Sequence, residues 1–280
     1  MHEPIFHYLR TDTLMPIFLR YEQAGAVGYG ELSDSKVLPL EGEFAHWRRT
    51  LGAPIALTDV KLLAPVLPSK VVAIGPNYKA ALPAGMAIPE RPMYWIKPAS
   101  ALNHPEGVIE LPPGVPAVNH EVELGIVIGQ RATRVPRTAA HEYILGYTCV
   151  NDVTAGDFST PGAFGTSVYM IYGKIFDGFA PIGPWIVTDL DPANLHVECR
   201  VNGKVRQSHR TSDHIFTPAQ LVEFVSHVVT LLPGDVISTG APPNVQPIRH
   251  GDIVEIEIEG IGVLRNHARN RADAPSALDA

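Results

Sequence analysis

The chain predicts an α+β fold dominated by strands, a β-rich barrel or roll rather than a doubly wound α/β sheet. Three observations carry that reading. Its 24 glycines and 26 prolines break up short β-branched runs, the punctuation of a sheet with many turns. A single stretch has both the caps and the apolar stripe of a good helix. No repeat period shows, and no GxGxxG follows a strand, so nucleotide cofactors are unsupported; Gly173-Lys174 also lacks the upstream glycine that a phosphate loop needs.

Composition narrows the function classes. A chain of 280 residues, 45% hydrophobic, has ample material for a large core, and its length suits a small unit plus a large one. The net charge of −7 comes with no Lys/Arg run, which argues against nucleic acid as a partner. Cys149 and Cys199 have no CxxC spacing and read as small buried hydrophobes in a reducing cytosol, leaving nothing for a thiolate metal site. Met1 to Leu19 lacks the basic start and apolar block of a signal peptide, and no apolar run reaches the ~18 to 20 residues of a membrane span. A soluble, cytoplasmic protein without membrane partners is expected.

In chain order, Pro16 to Arg20, Ala26 to Glu31 and Lys36 to Leu40 read as strands of a small β unit. A helical patch is expected around Phe44 to Leu51. Pro-punctuated sequence from Leu63 to Pro68 then suggests a boundary, with a small N-terminal domain over 1–65 and a larger one over 66–280. Val71 to Gly75 is a short buried strand, followed by a segment without clear period through Pro92 that suits a lid, and Met93 to Lys97 is another strand. Thr138 to Leu145 is a short helix, Tyr147 to Asp152 a strand ending on a carboxylate, and Phe158 to Tyr172 a long irregular loop of the kind that is usually functional or disordered. Trp185 to Thr188 is a strand. Leu195 to Val201 and Val205 to Gln207 flank Asn202-Gly203, a strong hairpin signal. Thr217, Pro218 and Gln220 form a capping box that opens the main helix, whose apolar stripe runs from Leu221 to Leu232 before Pro233-Gly234. Asp235 to Thr239 and Asp252 to Glu259 are strands, the latter with a solvated glutamate face, and Gly260 to Leu264 turns back against it. The tail after Asn270 is small and polar.

One stretch stands apart: Asn119-His120-Glu121-Val122-Glu123-Leu124-Gly125-Ile126-Val127-Ile128-Gly129. Residues two apart on a strand share a face, so Glu121 and Glu123 point the same way. Like charges that close repel and lose hydration near a core, so they need a compensating cation or open water. The buried run Ile126-Val127-Ile128 favours the cation, with an exposed edge strand as the alternative. Adding Asp152 gives an oxygen-only shell, which selects Mg²⁺, Mn²⁺ or Ca²⁺ over Zn²⁺ or copper and leaves positions for a bidentate oxo-acid.

Blocks of sequence then carry a resemblance. They are Val72 to Gly75 with Asn77-Tyr78, Ile96-Lys97-Pro98, His120 to Leu124, and Gly146-Tyr147-Thr148 with Asn151-Asp152. Further on come Gly173-Lys174 with Phe176-Asp177, Arg200 to Gly203, Pro233 to Ile237 with Thr239-Gly240 and Pro242, and Glu257 to Asn266. In order and spacing these resemble the fumarylacetoacetate hydrolase family over roughly residues 70 to 267. The resemblance implies a mixed β-roll catalytic domain behind a small β-rich N-terminal domain, a homodimer, and Mg²⁺- or Mn²⁺-dependent chemistry on acylpyruvates and related oxo-acids. Such enzymes hydrolyse, decarboxylate, hydrate or isomerise. It makes Glu121, Glu123 and Asp152 the metal ligands, and Lys174, Thr239 and Lys97 the catalytic positions. Asn77, Tyr78, Asp177 and Gly240 become substrate-binding. Read without the resemblance, Lys174 is an ordinary surface lysine and Thr239 a strand residue.

The chain departs from the family at one place. Its acylpyruvate hydrolases follow Asn-Tyr within a few residues by a His and a Glu that activate water; here the run is Lys79-Ala80-Ala81-Leu82-Pro83-Ala84-Gly85. Losing a general base removes a factor typically of about 10² to 10⁴. C–C bond hydrolysis is the expectation from the family, and decarboxylation or keto–enol isomerisation of a 2-oxo-acid is the alternative that the missing dyad favours. His104, His209 or His214 could substitute, although each reads more simply as a surface or capping residue.

Overall fold

The computed structural model describes residues 15–156 and 172–272. The loop expected at Phe158 to Tyr172 thus lies outside the described residues except for Tyr172, as do the tail beyond 272 and the first 14 residues.

Strands dominate as expected and curl into a half-barrel, with 13 in the main sheet, 5 in a second and 3 in a third. The main sheet is centred on Val122–Ile128, buried along its whole length. That strand lies antiparallel to Ile144–Asn151 on one side and to Val236–Ser238 on the other. Val236–Ser238 runs parallel to Lys70–Ile74, which pairs with Tyr94–Pro98. A strand covered on both faces needs near-continuous apolar sequence, so the lone charge at Glu123 is conspicuous. Gly125 is required by contact: a Cβ there would sit 2.6 Å from Val150 Cγ2 and 2.9 Å from Thr148 Cγ2.

The second sheet contains the expected hairpin, His196–Val201 and Lys204–Arg210, turning on Asn202 and Gly203 at φ 52° and 73°. Both left-handed residues suit the twist of a two-residue hairpin loop. On Ile253–Ile258 the alternation holds, with Ile256 and Ile258 buried. Its glutamate face is tied together, because Arg200 donates to Glu198, Glu255 and Glu257 at 2.8, 3.2 and 2.5 Å.

Helix Pro218–Val228 starts with the expected capping box at Thr217 and buries Leu221, Val222 and Val225. It ends earlier than the stripe suggested. Leu231 exchanges backbone hydrogen bonds with Ala132 at 2.9 and 3.0 Å, which draws the chain out of the helix four residues before Pro233 would. The helix expected near Thr138 is a 3₁₀ turn, Arg137–Tyr143, after which Ile144 is already strand.

The N-terminal strands are Ile17–Gln23, Ala26–Ser33 and Lys36–Glu43, as expected. The helical patch is not there. Gly42 and Ala45, at φ 116° and 66°, turn the chain back into a fourth strand, His46–Arg49. Trp47 then packs at about 5 Å on Phe18, Tyr29 and Phe44, and this non-local contact overrides the local helical preference. Ile17 and Phe18 pair with Val187 and Ile186, so these strands extend the main sheet.

Candidate metal centre

Glu121 and Glu123 were expected in one strand; Glu121 instead occupies the break between Ala117–His120 and Val122–Ile128. The earlier strand leaves to pair with Thr154–Gly156 and Gln246–Ile248. Two bonds hold the break: Glu121 N donates to Asn151 Oδ1 at 2.9 Å, and Asp152 N donates to Glu121 O at 3.0 Å. The second bond brings Asp152, just past the end of Ile144–Asn151, beside the glutamates. One carboxylate oxygen from each of Glu121, Glu123 and Asp152 lies within 4.8 Å of the others.

Burial makes this gathering costly, and two lysines offset part of the cost. Lys97, fully buried, donates to Asp152 Oδ1, Val153 O (3.0 Å) and Phe179 O (2.7 Å). Lys174, 2% exposed, donates to Asp152 Oδ2, Glu121 Oε2 (2.9 Å) and Thr154 Oγ1 (2.7 Å). It is no surface lysine. Burial works against its charge, but Asp152, Glu121 and Glu123 together hold it above the usual lysine range. Burial pulls Lys97 down, with Asp152 opposing. Asp152, despite its own burial, is held low by both ammonium groups.

Three carboxylates face two ammonium groups, and Glu123 is the one left over. Its Oε2 accepts from Ser238 Oγ at 2.6 Å and Gly240 N at 2.7 Å, whereas its Oε1 is buried without a partner. Burial first, then Asp152 and Glu121, push it well above the carboxylate range. An orphaned carboxylate oxygen inside an all-oxygen set with one uncompensated negative charge fits a hard divalent cation.

The acidic groups open on a cavity of about 370 Å³. Its polar lining includes Glu121, Glu123 and Lys174, and Trp95, Ala81 and Pro242 contribute apolar wall. Trp95 was not anticipated, although strand alternation on Tyr94–Pro98 puts it on the same face as Lys97. Its ring lies 5.4 Å from Lys174 Nζ. Ser238 and Thr154, which orient Glu123 and Lys174, also escaped the sequence reading because short hydroxyl side chains carry no local signature.

The other expected residues are distributed unevenly. Thr239 is buried with its hydroxyl unpartnered, and Tyr78 is fully buried with the same property. Gly240, at φ 95°, gives its N–H to Glu123. Asn77 is occupied: its amide donates to Thr239 O and Phe216 O at 2.7 and 3.1 Å, and its Oδ1 accepts from Phe216 N at 2.8 Å. Asp177 is exposed and outside the described cavity lining. His104 accepts from Ala64 N at 3.1 Å, away from the cavity wall. His209 and His214 pack against Tyr78 with ring centroids at 5.4 and 4.5 Å.

Comparison with known proteins adds a second line of evidence. A family model described as "Fumarylacetoacetate (FAA) hydrolase C-terminal" matches residues 70–269, and one described as "Rv2993c-like, N-terminal" matches residues 18–65. The chain is 40% identical to the Bos taurus protein named oxaloacetate tautomerase FAHD2A, mitochondrial, over 78% of this chain and 74% of that one. Among solved structures, the 5-carboxymethyl-2-hydroxymuconate delta-isomerase from Mycobacterium smegmatis is 41% identical with a TM-score of 0.81, covering 92% of this chain and 100% of the other. A maleylpyruvate hydrolase from Sphingobium sp. SYK-6, in complex with manganese (II) ion and pyruvate, is 27% identical with a TM-score of 0.72, covering 91% and 99%. The three names describe different reactions, and one of these structures holds a divalent metal.

Proposed function

This chain belongs to the fumarylacetoacetate (FAA) hydrolase family, and from that membership we propose that it is a divalent-cation-dependent tautomerase or isomerase of a 2-oxo-acid. Glu121, Glu123 and Asp152 would hold Mg²⁺ or Mn²⁺, with Ca²⁺ also compatible with the oxygen donors. When bound, such a cation chelates the 2-oxo-carboxylate and polarises its carbonyl as a Lewis acid.

One observation carries the choice of reaction. Among the described residues, the acid and base groups on the cavity wall are Glu121, Glu123 and Lys174, all committed to the acidic cluster, and the wall has no histidine. Residues 79–85 bring no His, Asp or Glu, and residues 157–171 bring no His or Glu, Asp157 being their one carboxylate. Hydrolysis requires a group that deprotonates water beside the substrate. Moving a proton next to an oxo group requires charge stabilisation above all, which Lys174 provides as a positive charge at the wall, its own N–H groups being given to Asp152, Glu121 and Thr154. Lys97 keeps Asp152 in place, since all three of its N–H groups are spent on Asp152 and two carbonyls. Trp95, Pro242 and Ala81 limit water around the reacting carbon.

Hydrolysis of an acylpyruvate is the second reading, favoured by the likeness to the maleylpyruvate hydrolase. Oxaloacetate separates the readings. With Mg²⁺ or Mn²⁺, the enol absorbance is expected to relax to the keto form at a rate proportional to enzyme, without pyruvate or CO₂. Release of cleavage products from acylpyruvates faster than any tautomerisation would overturn the assignment.

A further inference from the structure

Strand Lys204–Arg210 reverses the usual preference, since Val205 lies exposed while Gln207 is fully buried. The hairpin register explains how. Cys199 pairs with Gln207 and Arg200 with Val205, so Arg206 is an extra residue between them, a bulge that re-aims the side chain beside it. A buried amide has to satisfy both of its ends, and Gln207 does so in two directions. Its Oε1 accepts from Val122 N at 3.2 Å and from His120 Nδ1 at 2.9 Å. Its Nε2 donates to Pro242 O at 2.7 Å and, at longer range, to Pro243 O at 3.4 Å.

Both directions lead to the site. Val122 stands between Glu121 and Glu123, while Pro242 and Pro243 belong to the cavity wall formed by residues 241–245. That wall is tied to the acidic groups at each end: Gly240 N donates to Glu123 Oε2, and Gln246 pairs with His120. Its middle needs a different anchor. Proline has no N–H to give, so Pro242 and Pro243 can be hydrogen-bonded only through their carbonyls, which demands a donor. Gln207 supplies it without lining the cavity itself. The wall so held is apolar, with Pro242, Pro243 and Val245 bounding the same space as Ala81 and Trp95.

We propose that Gln207 is a positioning residue, which fixes the distance between the glutamates and the Pro242–Pro243 wall and so sets the grip on the carbon chain beyond the substrate's oxo group. The inference rests on the reading that a cation at Glu121, Glu123 and Asp152 chelates a 2-oxo-acid. With the oxo-carboxylate end fixed there, the rest of the molecule extends into the space the wall bounds. Each methylene buried in that space tightens binding by about fourfold. The glutamates keep partners of their own in Lys174, Thr154, Ser238 and Gly240. Loss of the Gln207 amide therefore releases the wall and leaves the chelated end in place.

The test is calorimetric titration of Mg²⁺-loaded full-length protein with pyruvate, 2-oxobutanoate and 2-oxopentanoate. Wild type is expected to bind more tightly at each step, by roughly tenfold or more from the first acid to the last. Gln207→Met keeps the length and loses both polar ends. It should bind Mg²⁺ and pyruvate as wild type does and lose about tenfold on 2-oxopentanoate. In deuterium exchange at the carbon beside the oxo group, the same variant should raise KM for 2-oxopentanoate with kcat unchanged. An undiminished gain along the series overturns the proposal, and so does an equal loss for pyruvate and 2-oxopentanoate, which marks a general loosening. If Gln207→Met does not fold, Gln207→Asn, whose amide is too short to reach Val122 N and Pro242 O together, replaces it with the same expected outcome. Wild-type protein that binds none of the three acids with Mg²⁺ removes the 2-oxo-acid reading and this proposal with it. Wild-type binding that does not tighten along the series removes the proposal alone.

Discussion

Glu123 decides the charge balance of the site, because Lys97 and Lys174 offset only two of the three carboxylates. Glu123→Gln keeps the shape and can still accept from Ser238 and Gly240 while removing the excess charge. Saturating Mg²⁺ or Mn²⁺ should raise the wild-type Tm, by about 2.7 kcal/mol of stability at a hundred times Kd. The variant should show no metal-dependent gain and no turnover, with a metal-free Tm at least equal to wild type since a buried repulsion is gone. Unchanged turnover would remove the site. His214 gives a second prediction at this scale. Its pKa is about 4 in the fold and about 6.5 unfolded. Between those values the unfolded chain binds more protons, so stability falls as pH drops from about 6.5 to about 4, by roughly 3 kcal/mol. His120, also lowered chiefly by burial, contributes with the same sign. Chemical unfolding of His214→Met across this range should show a flatter slope; an identical slope would mean that the imidazole is solvated. Sequence alone made the Glu pair legible as two close carboxylates in an apolar run, although Glu121 lies in a break rather than within the strand, and Asp152 too, since it follows a strand end. It could not show that Lys174 is buried, because a lysine after a glycine looks the same on a surface, and the three groups that bury its charge come from distant parts of the chain.

At the scale of elements, the turn after Val236–Ser238 does the positioning. Gly240 is at φ 95°, and a Cβ would come 2.7 Å from Asn77 Cβ and 3.0 Å from Gly75 O. Gly240→Ala is therefore expected to cost roughly 1 to 3 kcal/mol of stability, from strain and from displacement of a packed side chain. The same shift moves the N–H that Glu123 accepts, so metal affinity should fall with it; urea titration and metal titration of one preparation would read both. Lost stability with unaltered affinity would show that the turn does not orient the carboxylate. Elements were legible where their determinants were local. The Thr217 capping box and the Asn202-Gly203 hairpin need only neighbouring residues, and both formed as expected. Phe44 to Leu51 was misread because the aromatic packing of Trp47 on Phe18 and Tyr29 joins positions far apart in sequence. The early end of helix Pro218–Val228 likewise depends on Ala132, some hundred residues away.

At the scale of the molecule, the two family models meet between residues 65 and 70, while hydrogen bonding crosses that line without interruption. Ile17–Gln23 pairs with Ala180–Val187 through Ile17↔Val187 and Phe18↔Ile186, and also with Lys61–Leu63. Phe18 shares a buried cluster with Val127, Val150 and Ile182 of the central strands. Val127 and Val150 belong to the same strands that carry Glu123 and lead into Asp152. An N-terminal unit folding alone would expose Phe18 and leave the Ile17–Phe18 end of its strand unpaired on one side, while Arg20 to Glu22 would keep Lys61–Leu63 as their partner. We therefore propose that the chain unfolds as one cooperative body rather than as two. Scanning calorimetry should give a single transition whose calorimetric and van't Hoff enthalpies agree. Phe18→Ala, costing about 3 to 5 kcal/mol as a buried aromatic truncation, should shift that whole transition, including the loss of metal binding followed in parallel. Two resolved transitions, with Phe18→Ala moving only the first, would establish that the strands before residue 65 are an independent appendage and that the sheet's continuity contributes nothing to holding the carboxylates together.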